Sequence, residues 1–309
     1  MLGLWLWNSG EVLSDVPQQD QLVSLARAAG ITDIFLYLTA PNYVNAASRD
    51  LVRAFNARMS QNNIHVWGLE GSRGYFSDAD GPAGFYRTID NLIQFNKGVA
   101  VDERFVGFQS DMEPQDGQEA SFKSTFHNDL TDAQLSTTGG GVWYATQAQD
   151  REMLMRDWLT IHKTAHDKLA AAGLKMAASM PSWTENYYGA PISVTYNNVR
   201  QSVGMHMMNY LNEYIVMSYN TDPSDAANRV LAQAQYASTL PEATRPHISA
   251  SMETHAGAAV NVSYGDTVGK QSRATVLNDM DAIKTILGKY PAFSGVSLHD
   301  WVGWKSLPN

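Results

Sequence analysis

Eight short apolar runs recur along this chain, and a helix-forming stretch separates most of them from the next. They occupy residues 2–7, 31–38, 64–69, 104–110, 174–180, 214–220, 246–252 and 293–298. Between them, apolar residues at helical spacing predict helices over about 18–29, 83–95, 147–172, 199–211, 223–238 and 272–287. One more helix is predicted after Ser48, its expected cap, with Leu51, Val52, Phe55 and Met59 on one face. Strands this short and this apolar are buried on both faces, which is the mark of a parallel sheet covered by helices. Eight in alternation with helices predict one (β/α)8 barrel, an α/β fold, over residues 1–309. The rival is an open doubly wound sheet, which carries a Gly-rich phosphate turn after its first strand. Here that turn reads Asn8-Ser9-Gly10 and does not fit. Two irregularities are expected: a long polar loop over about 115–141 after the fourth strand, and a last helix that is short or missing.

Charge and composition narrow the chemistry. The formal net charge of -9, with Lys and Arg scattered, argues against nucleic acid or an anionic membrane surface as partner. With no cysteine, disulfides and thiolate metal sites are excluded. No apolar run is long enough to span a bilayer, and no charged leader precedes the first strand. Export therefore stays open, as does oligomeric state. Asn261-Val262-Ser263 is a glycosylation sequon, meaningful only in a secreted eukaryotic protein. Eight Trp and 14 Tyr are more rings than a core needs, and such rings suit the apolar faces of sugars.

In a barrel, the carboxyl ends of the strands carry function. Those ends bring forward Trp7 and Asn8, Tyr37, Glu70, Asp111 and Glu113, Trp183, Tyr219 and Asn220, Glu253, and finally His299, Asp300 and Trp301. The expected mouth is acidic and aromatic, which fits a neutral, hydroxyl-rich ligand. At its centre Asp111 and Glu113 stand two apart at the end of a strand, so both project to the same side. Carboxylates held together raise each other's proton affinity, which keeps a general acid protonated near neutrality. The plain alternative is an acidic turn, closed at Pro114, after a buried strand. Glu70 reads equally well as a loop carboxylate paired with Arg73, Tyr219 as a barrel-lining tyrosine, and His299 with Asp300 as a structural pair.

Other hydrolytic devices are missing. The eight His show neither His-x-His nor His-Glu-x-x-His, and His162 and His166 fall on an outer helix, so no metal and no cofactor are expected. No Gly-x-Ser-x-Gly elbow occurs either.

The run from Val106 to Glu113 resembles the fourth-strand signature of family 18 chitinase-like glycoside hydrolases, Asp-x-x-Asp-x-Asp-x-Glu. Its last two acids are kept, while Val106 and Gln109 stand in place of the first two. Met217-Ser218-Tyr219-Asn220 is similar to that family's Met-x-Tyr-Asp, with Asn replacing Asp, and Trp301 matches a tryptophan that floors its central subsite. The resemblance implies a retaining hydrolase of a polysaccharide or glycan containing N-acetylhexosamine. Glu113 would be the general acid, Asp111 would orient the 2-acetamido group that attacks the anomeric carbon, and Tyr219 would bond its oxygen. Trp301 would be the sugar platform. A second resemblance joins Val106-Gly107-Phe108 and Glu113-Pro114 to the clan that sets an acid/base Glu on strand four and a nucleophile Glu on strand seven. Glu253 would then be the nucleophile, ~5 Å from Glu113. The missing acids also motivate a third reading, a barrel that binds carbohydrate without cleaving it.

Overall fold

The computed structural model describes residues 2–71, 81–114, 148–187 and 190–309. The loop expected over 115–141 and the partner proposed for Glu70, Arg73, lie outside the described residues. Eight strands close into a parallel barrel: β1 (Gly3–Leu6), β2 (Asp33–Tyr37), β3 (His65–Glu70), β4 (Gly107–Ser110), β5 (Lys175–Pro181), β10 (Glu213–Met217), β11 (His247–Glu253) and β12 (Phe293–His299). Each pairs in parallel with its neighbours, and β12 returns to β1 through Leu4 and Leu298.

Alternation along the strands builds two cores. Trp5, Phe35, Trp67, Leu69, Ala177 and Ile215 point inward and pack together inside the barrel. Their neighbours, among them Leu4, Leu6, Ile34, Leu36, Phe108 and Val216, point outward against the helices. This is the period of two that makes a strand buried on both faces a continuous apolar run. The interior is lopsided. Aromatic rings fill it on β1 to β3, while buried Ser179, Ser249, Ser251 and Ser297 sit on β5, β11 and β12. Gly107 is required beside those rings, since a Cβ there would come within 2.6 Å of Trp67.

The outer helices follow their signals, with corrections. An unforeseen short helix, α1 (Ser9–Leu13), precedes α2 (Val16–Ala29). Asp15 caps α2 through the Gln18 amide, and Gly30, at a φ of 70°, ends it. Thr39 and Asn42 form a capping box for the short helix α3 (Ala40–Val44). Asn45, not Ser48, caps α4 (Ala46–Gln61), since its side chain accepts from the Ser48 amide. Next come α5 (Gly81–Lys97) and α6 (Ala148–Ala171).

The helix expected over 199–211 begins instead as the second strand of a hairpin. After the short pair β6 (Asn186–Tyr187) and β7 (Ala190–Pro191), β8 (Ser193–Tyr196) pairs antiparallel with β9 (Val199–Ser202). Asn197 and Asn198 join them at φ of 50° and 63°, the left-handed pair that a two-residue hairpin turn demands. Helix is confined to α7 (Val203–Met207), capped by Ser202. The remaining helices are α8 (Pro223–Thr239), α9 (Arg273–Leu287) and the short α10 (Trp301–Ser306). Among the described residues no helix is long and apolar enough to cross a membrane.

At the amino end of the barrel, polar side chains surround a cavity of about 470 Å³ lined by Asp33, His65, Trp67, Lys175, Glu213 and His247 among others. Asp33 is buried and accepts from Trp67 Nε1 at 2.8 Å and Thr32 Oγ1 at 2.6 Å. Glu213, also buried, meets His247 Nδ1 at 2.8 Å. That hydrogen bond holds the His247 pKa above the ordinary histidine value.

Candidate functional site

At the opposite end, the β4 ladder runs one residue past the strand, with the Asp111 amide bonded to the Glu70 carbonyl at 3.0 Å. Alternation continues with it. Met112 is buried in the outer core, and Asp111 and Glu113 on either side of it are half-buried. Both acids line a cavity of about 290 Å³, together with Pro181, Ser182, Trp183, Met217, Tyr219 and His299. Gly71 makes this approach possible, because a Cβ there would collide with the Asp111 carbonyl. One layer below, Gln109 is buried inside the barrel and donates to Ser179 Oγ at 2.6 Å and to the Ser110 carbonyl at 3.1 Å.

Tyr219 records the field at this mouth. Burial pushes its hydroxyl well above the usual tyrosine range, and the charges of Asp111, Glu253 and Glu113 push it further. Three carboxylates thus act on one phenol, which stays protonated and keeps its O–H donor. Arg229 Nη1 fixes its backbone by donating to the Tyr219 carbonyl at 2.9 Å.

Glu253 ends β11 in register with His299 of β12. It is buried, and both of its oxygens are engaged: His299 Nδ1 lies 2.7 Å from Oε2, and the His255 amide donates to Oε1 at 2.7 Å. His299 in turn accepts from Trp7 Nε1 at 2.9 Å. The Trp7 ring packs on Tyr37 at 5.4 Å between centroids, so two of the expected rim aromatics stand side by side.

Other expected site residues have local duties. Asn8 donates to Glu11 Oε2 at 3.2 Å beside the start of α1. Asn220 closes a turn by accepting from the Asp222 amide at 2.8 Å. Asp300 is buried, caps α10 through the Gly303 amide at 2.9 Å and lies 3.3 Å from His255 Nδ1. It belongs to the helix rather than to the cavity lining. Glu70 is half-buried at the end of β3, where its charge bears on the buried Tyr43 hydroxyl.

Trp301 requires a correction. It is fully buried in the outer core, with Lys305 Nζ 5.5 Å from its ring, and it does not line the cavity. The side chain that β12 delivers to the mouth is His299, because Gly295, Ser297 and His299 share the inward face. His299 stands among the strand-end residues of the sequence, where it reads as a structural partner of Asp300. Trp183 is the indole that lines the cavity.

No protein-family model matches this chain. No curated protein sequence matches it either. Solved structures do. A chitinase from Chromobacterium violaceum is 13% identical, superposes with a TM-score of 0.50, and the match covers 99% of this chain and 96% of that one. A chitinase from Bacteroides thetaiotaomicron is 14% identical with a TM-score of 0.51, covering 98% of this chain and 90% of that one. At such identity the likeness is one of fold, and the closed eight-stranded parallel barrel is what this chain shares with both.

Proposed function

We propose that this chain is a glycoside hydrolase acting on a polysaccharide or glycan that contains N-acetylhexosamine. The observation that carries the proposal is the pairing of Asp111 and Glu113 on one cavity wall, facing Trp183 and Tyr219 at the carboxyl end of the barrel. The chitinase activity named for the two proteins of like fold supports it.

In this reading Glu113 protonates the leaving glycosidic oxygen as the bond to the anomeric carbon breaks. The substrate's own acetamido oxygen attacks that carbon, held in place by Asp111 and by the Tyr219 hydroxyl. Water then opens the cyclic intermediate, with Glu113 taking its proton, so configuration at the anomeric carbon is retained. Trp183 supplies the ring on which a sugar face stacks. Glu253 suits a supporting part better than that of nucleophile, because His299 and the His255 amide occupy its two oxygens. The two-glutamate route is thereby disfavoured, and a barrel that only binds sugar becomes an outcome of the test.

A panel of polysaccharides and defined oligosaccharides, with products identified by mass, tests the proposal. Release of shorter N-acetylhexosamine oligomers is expected from the native chain. Binding without any cleavage across the panel would overturn it.

A further inference from the structure

We propose that His299 is a positioning residue of this site: its neutral imidazole holds the Trp7 indole at the rim, and protonation releases it. The inference rests on the site described above but is decided by its own measurement.

An indole N–H donates and cannot accept. Trp7 Nε1 lies 2.9 Å from His299 Nε2, so that nitrogen must present its lone pair. The ring proton then sits on Nδ1, which faces Glu253 Oε2 at 2.7 Å. Glu253 is held in turn by the His255 amide on its other oxygen. The His299 carbonyl is tied by the Thr254 hydroxyl at 3.0 Å. Trp7, His299 and Glu253 thus form one hydrogen-bonded chain across β1, β12 and β11, and only one tautomer satisfies it.

The surroundings pull the other way. Burial disfavours a charged imidazole, but the Glu253 hydrogen bond and the charges of Glu253, Asp300 and Asp111 outweigh it and lift the pKa above the ordinary value. From β10, the Tyr219 ring lies 5.8 Å away, and its phenol is neutral. Glu113 lines the same cavity as His299, and His255 faces Asp300. From β1, Trp5 packs at 5.8 Å and bears no charge. The carboxylates therefore favour a second proton, while Trp7 forbids it at Nε2. A proton added there would set two N–H groups against each other, and the indole must turn away. Because Trp7 packs on Tyr37, the aromatic rim moves with it.

The experiment is a pH titration of the full chain carrying 15N-labelled histidine and tryptophan, followed by NMR. Above the His299 pKa we expect the Nδ1–H tautomer, and the Trp7 indole signal should move with the same midpoint as the imidazole. An Nε2–H tautomer, or an indole signal indifferent to that titration, overturns the proposal. Neither readout needs turnover, so a failure of the hydrolase assignment would show separately, as intact substrate.

Kinetics on a β-1,4-linked N-acetylglucosamine tetramer supply the second arm. KM should rise about fivefold as pH falls through the His299 midpoint, the worth of one hydrogen bond, with kcat changing less. His299→Gln, whose amide oxygen can accept from Trp7 at any pH, should flatten that profile near the high-pH KM. Trp7→Phe should flatten it near the low-pH KM. A KM profile unchanged in both variants would again overturn the proposal.

Discussion

The two mouths of this barrel hold similar side chains to different effect. Each carries a buried glutamate against a histidine from a neighbouring strand: Glu213 with His247 at the amino end, Glu253 with His299 at the carboxyl end. At the amino end Lys175 joins the cluster, and Asp33 accepts from Trp67 and Thr32. Donors meet both oxygens of Asp33 and one of Glu213, around a polar cavity. At the carboxyl end Asp111 and Glu113 are added to Glu253, all three acting on Tyr219, and the cavity wall includes an indole. Charge matched on the spot braces a fold. Carboxylates gathered around one phenol and beside an indole suit a reacting sugar.

Substitutions can break this contrast. The largest effect is expected at Glu113. Glu113→Gln should lower kcat on the N-acetylglucosamine tetramer by about 10³-fold or more while leaving thermal stability nearly unchanged. Asp33→Ala, at the other mouth, should reverse the pattern. It removes the acceptor of a buried indole and should cost about 1–3 kcal/mol in urea denaturation, with kcat kept. Trp183→Ala should raise KM about tenfold through lost stacking and leave kcat within a few-fold, as steady-state kinetics would show.

The smallest effect separates the two histidines by pH. His247 binds its proton more tightly folded than unfolded. Its contribution is complete below the unfolded value and is lost as pH rises through the raised folded value. Its side chain is 58% exposed, so solvent screens the pair and the effect on stability should stay well under ~1 kcal/mol. Comparing melting temperatures at pH 6 and pH 8 for the native chain and His247→Gln would show it: only the native chain should lose this small increment at the higher pH. Titration of His299 should act on the cleft instead.

The barrel was legible because its strands are short, apolar and evenly interrupted, which two-sided burial imposes. Asp111 and Glu113 were legible for a related reason: period two carries past the strand end, and Met112 between them turns to the outer core as that period requires. The β8–β9 hairpin was hidden because its decisive signal is two asparagines in left-handed conformation, just before a stretch whose apolar spacing suits a helix. Asn8, Asn220 and Asp300 were expected at the site from their places beyond strands; Asn220 accepts in a turn, Asp300 caps α10, and Asn8 donates to Glu11. A polar residue just beyond a strand suits either duty, and only coordinates show which partner it takes. Trp301 was matched by motif position, whereas the inward count along β12 selects His299.

The most direct test of where function lies is a crystal structure of Glu113→Gln with the N-acetylglucosamine tetramer bound. The account predicts the sugar at the carboxyl end, one ring stacked on Trp183, an acetamido group between Asp111 and Tyr219, and a glycosidic oxygen within hydrogen-bond reach of residue 113. A tetramer seated at the Asp33–Glu213 mouth, or bound with residue 113 remote from every glycosidic oxygen, would contradict it.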